Sequence, residues 1–148
     1  MKEKILEAFA NLGFRLEDAD GIGYVFDYEN IRFLYMLNED DESFFTIALP
    51  GFYEYDENKP GVYCALEEKI NSNLKYVKAY TLAQHMWLFY ERELFGEEDL
   101  EQIIPRMILH LEAGLMFARK TIDELETSFA EDTDETADSI EDITDDND

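Results

Sequence analysis

Apolar residues recur at helical spacing from Leu100 to Leu125, and no other periodic signal in the chain is as long. Leu100, Ile103, Ile104, Met107, Ile108, Leu111, Leu115, Ala118, Ile122 and Leu125 trace one face. A helix with one apolar side must lay that side on another layer. The acids Glu97, Glu98 and Asp99 stand at its start, where the helix dipole favours anions, and Arg119 and Lys120 lie nearer its end. Pro105 falls inside the pattern, so it either kinks the helix or marks its true first turn. Gly114 lies beside the stripe, where it permits close approach to a sheet.

The partner layer is legible upstream. Ile5, Leu6, Phe9 and Leu12 give a first helix over 2–12, with Gly13 placed to cap its end. Short runs rich in strand formers follow: 14–18, 24–28, 31–37 and 44–49, the third almost continuously apolar. Glu29-Asn30 reads as a tight turn, and 38–43 as a polar one. Pro50-Gly51 is expected to end that sheet segment, leaving 51–60 as a loop that carries Phe52, Tyr53 and Tyr55. Val62, Leu66 and Ile70 set the apolar face of a middle helix over 62–74. Residues 76–95 are dense in aromatics and read as a hairpin turning at Ala83-Gln84. The expected order is α-β-β-β-β-α-β-β-α: an α+β fold whose antiparallel sheet carries an N-terminal, a middle and a long C-terminal helix.

Charge divides the chain. The 148 residues hold 36 acids against 12 lysines and arginines, for a net charge of -24. Eleven of the acids fall in 126–148, which has no Lys or Arg. Its large apolar residues, Phe129, Ile140 and Ile143, follow no period, so 126–148 reads as a flexible acidic tail. Taking the tail's -11 from -24 leaves -13 on residues 1–125, expected to be one domain. Phosphate backbones and anionic lipid repel such a protein, which argues against nucleic acid and membrane partners and favours cationic segments of other proteins or divalent cations. Glu3 and Glu7 interrupt any secretory signal, no run approaches the ~20 apolar residues of a membrane span, and the single Cys64 allows no internal disulfide. The cytoplasm is the expected location.

Reactive constellations are scarce. His85 and His110 are 25 residues apart and belong to no metal-binding spacing; with nearby carboxylates either would serve a small enzyme or a metal site. Cys64, followed by Glu67 and Glu68, reads as a buried or half-buried small residue rather than a reactive thiolate. Gly21-Ile22-Gly23 lacks the third glycine and following helix of a phosphate loop and reads as a turn between strands. Asp18-x-Asp20-Gly21 is not an EF-hand, because Leu16 and Asp27 stand where that loop needs acids at fixed distances. The aromatics are many: nine Tyr, eleven Phe and one Trp. Phe52, Tyr53 and Tyr55 in the expected loop, with Trp87, Phe89 and Tyr90 on the last strand, are the candidate partner-binding residues, since aromatic side chains anchor interfaces.

Three stretches, FFTIALPGFYEY (44–55), YVKAYTLAQHMWLFYERELF (76–95) and DLEQIIPRMILHLEAGLMFARK (99–120), together with the element order, resemble the YbjN-like family of bacterial sensory transduction regulators. That family is similar in fold to the type III secretion chaperones. The resemblance covers residues 1–125 and rests on order and apolar pattern. It implies a curved antiparallel sheet with a helix packed on it, and a small acidic protein that binds segments of other proteins without ATP. Its chaperone relatives are commonly dimeric, which makes a homodimer the expectation. The early extra strand and the acidic tail depart from those chaperones.

The expected function is therefore a non-catalytic protein-binding or adaptor domain, chaperone-like in mode, with no cofactor and a basic peptide segment as its natural partner. The alternatives are a small enzyme or metal-binding protein built on His85 or His110, and a structural homodimer subunit whose tail only solubilises.

Overall fold

The long apolar helix does lie on strands. The computed structural model describes residues 1–130 in full and 131–146 only as the continuation of the last helix. Its elements are α1 (Lys2–Asn11), β1 (Glu17–Asp18), β2 (Gly23–Tyr28), β3 (Ile31–Met36), β4 (Phe44–Glu54), α2 (Pro60–Asn73), β5 (Val77–Leu82), β6 (His85–Glu93) and α3 (Leu100–Asp146). This is the expected order. The strands form one antiparallel six-stranded sheet, β1-β2-β3-β4-β6-β5.

Three two-residue turns set the register. Asp20-Gly21, Glu29-Asn30 and Ala83-Gln84 all have positive φ at both positions, the type I′ geometry whose twist matches paired strands. Only one of these six residues is glycine. The end of α1 is equally local. Gly13 at φ 89 donates its N–H to Ala10, and Phe14 donates to Phe9 at 3.0 Å. The rings of Phe9 and Phe14 meet at 5.9 Å, completing a Schellman cap with its hydrophobic contact.

α3 begins on Asp99, whose carbonyl accepts the N–H groups of Gln102 and Ile103 and whose carboxylate accepts that of Glu101 at 3.2 Å. Pro105 therefore lies in the second turn and does not mark the first. Gly114 permits the expected close approach: a β-carbon there would stand 3.4 Å from Leu88 and Val77 of the sheet. Phe9, Phe33, Phe45, Leu66, Ile104 and Met107 are among the fully buried side chains that close the core between the sheet and the three helices.

Two sequence expectations are corrected. β4 does not end at Pro50-Gly51 but runs on to Glu54, so Phe52 and Tyr53 lie on a strand rather than in a loop. Between the pairs Leu49–Leu88 and Tyr53–Met86, the three residues Pro50, Gly51 and Phe52 face the single Trp87. This bulge interrupts the ladder where proline has no N–H to give. Likewise, of the expected strand 14–18 only Glu17 and Asp18 pair, because the Schellman cap directs Phe14 into the core against Phe26.

The acidic stretch read as a tail starts at Glu126. Tyr53 donates its hydroxyl to the Glu126 carboxylate at 3.2 Å, and the Phe129 ring sits over Gly61 of α2. From residue 131 on, that expectation lies outside the fully described residues.

Candidate protein-binding surface

All three helices pack on one face of the sheet. The opposite face carries a second apolar layer, in which Leu34, Ala48 and Phe89 are buried and Val25, Met36, Tyr80 and Trp87 half-buried. No helix residue joins this cluster among the described residues. Strand alternation explains its membership. Val25, Leu34, Ala48 and Phe89 are direct cross-strand partners in consecutive strands, so they form one row across β2, β3, β4 and β6. Tyr80 pairs with Trp87 in the neighbouring row.

Ring stacking fixes the aromatic end of the layer. Tyr80 lies on Phe89 at 4.0 Å with 7° between planes, and Trp87 flanks Phe89 at 5.9 Å and 11°. This is how Phe89 becomes wholly buried on a face that no helix covers. Burial, then the Glu91 carboxylate, raises the Tyr80 hydroxyl pKa above its usual range. Lys78 bonds Glu91 at 3.2 Å and lies over the Tyr80 ring, and Arg32 bonds Asp27 at 3.1 Å.

The sheet edges are short or partly covered. On α2, Asn71 donates its amide N–H to the Ala79 carbonyl at 3.0 Å and accepts the Ala79 N–H at 2.7 Å. One side chain thus occupies the central outward-facing peptide of β5. At the other edge, β1 is only two residues long, both of them exposed acids. Short, charged or covered edges are how sheets avoid pairing with other chains.

The six candidate aromatics separate into three places. Trp87 and Phe89 belong to the uncovered face. Tyr90, with the opposite parity, points to the helical side and meets Tyr76 at 5.7 Å and His110 at 5.9 Å. Phe52 packs on the main core. Tyr53 stacks on Tyr63 at 6.0 Å, and Tyr55 meets Tyr63 edge-on at 5.2 Å. Burial first, and then Glu126, pushes the Tyr53 hydroxyl up to about 12.

The sequence reading missed Val25, Leu34, Met36, Ala48 and Tyr80 as members of one surface. A signal for them existed. In Ile31–Met36 the set Ile31, Phe33 and Tyr35 is apolar and the alternate set, after Arg32, continues with Leu34 and Met36, which is the pattern of a strand with two packed faces.

Reactive side chains do not gather. His85 Nδ1 lies 3.0 Å from the Ala83 carbonyl within its own hairpin, and His110 rests against Tyr76 at 5.1 Å. Neither contacts a carboxylate at hydrogen-bond distance among the described residues, where no cluster of three metal-ligating side chains occurs. Cys64 is exposed, contrary to expectation, because α2 buries Val62, Tyr63, Leu66 and Ile70 and turns position 64 outward. Among the described residues, no helix is long and apolar enough to cross a membrane.

The most exposed aromatic among the described residues, Phe95, stands on the β6–α3 connection. The Glu98 carboxylate accepts the N–H groups of Phe95 and Gly96 and bonds Arg92 at 3.2 Å. These bonds, the one to the Phe95 N–H foremost, lower the Glu98 pKa and pin the loop, leaving the Phe95 ring 78% exposed.

No protein-family model matches the chain, and no curated protein is significantly similar to it.

Proposed function

We propose that this chain is a non-catalytic protein-binding domain whose docking surface is the sheet face without helices. The observation that carries the reading is the second apolar layer itself. An antiparallel sheet with a solvated face normally alternates apolar-in and polar-out. Here the outward set of four strands is apolar and aromatic at its centre. Tyr and Trp at such a place offer large, rigid contact area with a polar tip, the make-up of interface anchors. The YbjN-like resemblance, with its expectation of binding segments of other proteins, points the same way.

Site-specific photocrosslinking tests the reading. A photoreactive residue replacing Tyr80 is expected to capture a discrete protein in native extract, and the same residue replacing the exposed Lys69 on α2 is not. Equal capture from both positions, or none from position 80, refutes it.

A further inference from the structure

Resting on that reading, we infer that the occupant of the uncovered face is a basic amphipathic helix of a partner protein. Two independent observations lead there: the short, partly covered sheet edges and the charge around the face.

A strand that joins a sheet satisfies its backbone groups on the sheet edge. Neither edge offers a long open run for that, since Asn71 occupies Ala79 at the middle of β5 and the opposite edge strand β1 is two acidic residues long. The face itself presents side chains only. A segment lying on it must therefore arrive with its own N–H and C=O groups already paired, and an α-helix does so. Such a helix brings one apolar stripe, matched to Val25, Met36, Tyr80 and Trp87.

The charge selects the sign of the other face of that helix. The two cations within the face are already neutralised, Arg32 by Asp27 and Lys78 by Glu91. Around them, Glu17 ends the cross-strand row and Glu93 continues β6, while at the sheet end the β3–β4 connection carries Glu39, Asp40, Asp41 and Glu42, with Glu39 and Glu42 turned toward Lys2 of α1. None of these six acids has an ion-pair partner among the described residues; Arg15, at the β1 end, and Lys2, beside Glu39 and Glu42, are cations near them that form no ion pair either. Lysines and arginines flanking an apolar stripe complement that rim and speed encounter. A second copy of the chain would bring the same acids against it, with -13 on residues 1–125 of each copy.

Trp87, the only tryptophan, sits on the face and reports directly on occupancy. The full chain is titrated with an 18-residue helical leucine/lysine peptide while Trp87 emission is followed. Controls are its leucine/glutamate counterpart and a leucine/lysine peptide of equal composition with strict alternation, which forms strands. The helical leucine/lysine peptide is expected to shift the emission saturably. Val25→Lys and Tyr80→Ala, checked for intact far-ultraviolet dichroism, are each expected to weaken binding at least tenfold. The triple change Glu39→Gln, Asp40→Asn, Glu42→Gln is expected to weaken it severalfold at low salt and little at high salt. Equal binding of the alternating peptide, or unchanged affinity in both face variants, overturns the inference. So does an emission shift that depends on protein concentration without peptide, which would identify a second copy. If position 80 captures a native partner whose docking segment is acidic or extended, the docking reading survives and the basic helix falls. If neither peptide nor partner touches the face, both fall.

Discussion

The β5–β6 hairpin closes on a turn whose residues are poorly suited to it. Leu82 pairs with His85, so Ala83 and Gln84 alone make the connection, at φ 51 and φ 67. A residue with a β-carbon loses roughly 1–2 kcal/mol in this left-handed region, whereas Asn and Gly adopt it readily. Both side chains are exposed, so no packing is lost on changing them. The bonds the turn makes are backbone-based and survive: Gln84 O accepts the Tyr55 N–H at 2.9 Å, and Ala83 O faces His85 Nδ1 at 3.0 Å. Against the relieved strain stands the added unfolded-state freedom of glycine, about 0.5–1 kcal/mol. The double change Ala83→Asn, Gln84→Gly should therefore stabilise the protein by about 1 kcal/mol. For a chain of this size that raises the melting temperature by about 2–4 °C. Urea unfolding followed by Trp87 fluorescence measures it, with an unchanged m-value as the sign that only stability moved. A loss of stability, or no gain, would show that the turn is not held in type I′ geometry and would refute the reasoning.

Other consequences are as direct. Asn71→Ala removes both bonds to Ala79 and should cost about 1–3 kcal/mol; it also bares the β5 edge, so light scattering on storage should rise relative to wild type. Gly23→Ala would put a β-carbon 1.9 Å from the Tyr35 carbonyl oxygen, a backbone atom that cannot yield without opening β2 from β3. A loss of about 3 kcal/mol in denaturant unfolding is expected, at the upper end for an overpacked site. Burial pushes the Tyr35 hydroxyl up to about 12 from the usual 10, so the fold favours its neutral form. That contribution to stability is complete below pH 10 and is lost as the pH rises from 10 to 12. Absorbance titration at 295 nm should show late-ionising tyrosines, Tyr35 and Tyr53 among them, and Tyr35→Phe should take one tyrosine out of that late phase.

Much of this fold is legible in the residues because its determinants are local. The α3 stripe, the Gly13 cap and the Glu29-Asn30 turn each announce themselves within a few positions. The run of β4 past Pro50-Gly51 is not local: whether that pair ends a strand or forms a bulge depends on Trp87 standing opposite, some 35 residues away. Cys64 shows the same limit at smaller scale. Its type favours burial, but its position on α2 is set by which residues face β5 and α3. The surface was half legible. Trp87 and Phe89 stand out by composition, whereas their union with Val25, Leu34 and Ala48 is a fact of register.

Register also limits how much of this face meets water. The most apolar members, Leu34, Ala48 and Phe89, are buried by their own neighbours, so water meets mainly the edges of Val25, Met36, Tyr80 and Trp87. The layer thus shields itself, and the net charge of -24 on each copy opposes contact between two such faces. Apolar contact alone would not tell a copy from a partner, since both offer hydrophobic surface. On the proposed reading charge makes that distinction: an acidic rim would turn away another acidic surface and admit a basic one. Attraction and discrimination are in this way assigned to different residues, the first to the aromatic rows and the second to the acids at their ends. Each can be altered by mutation while the other stays in place.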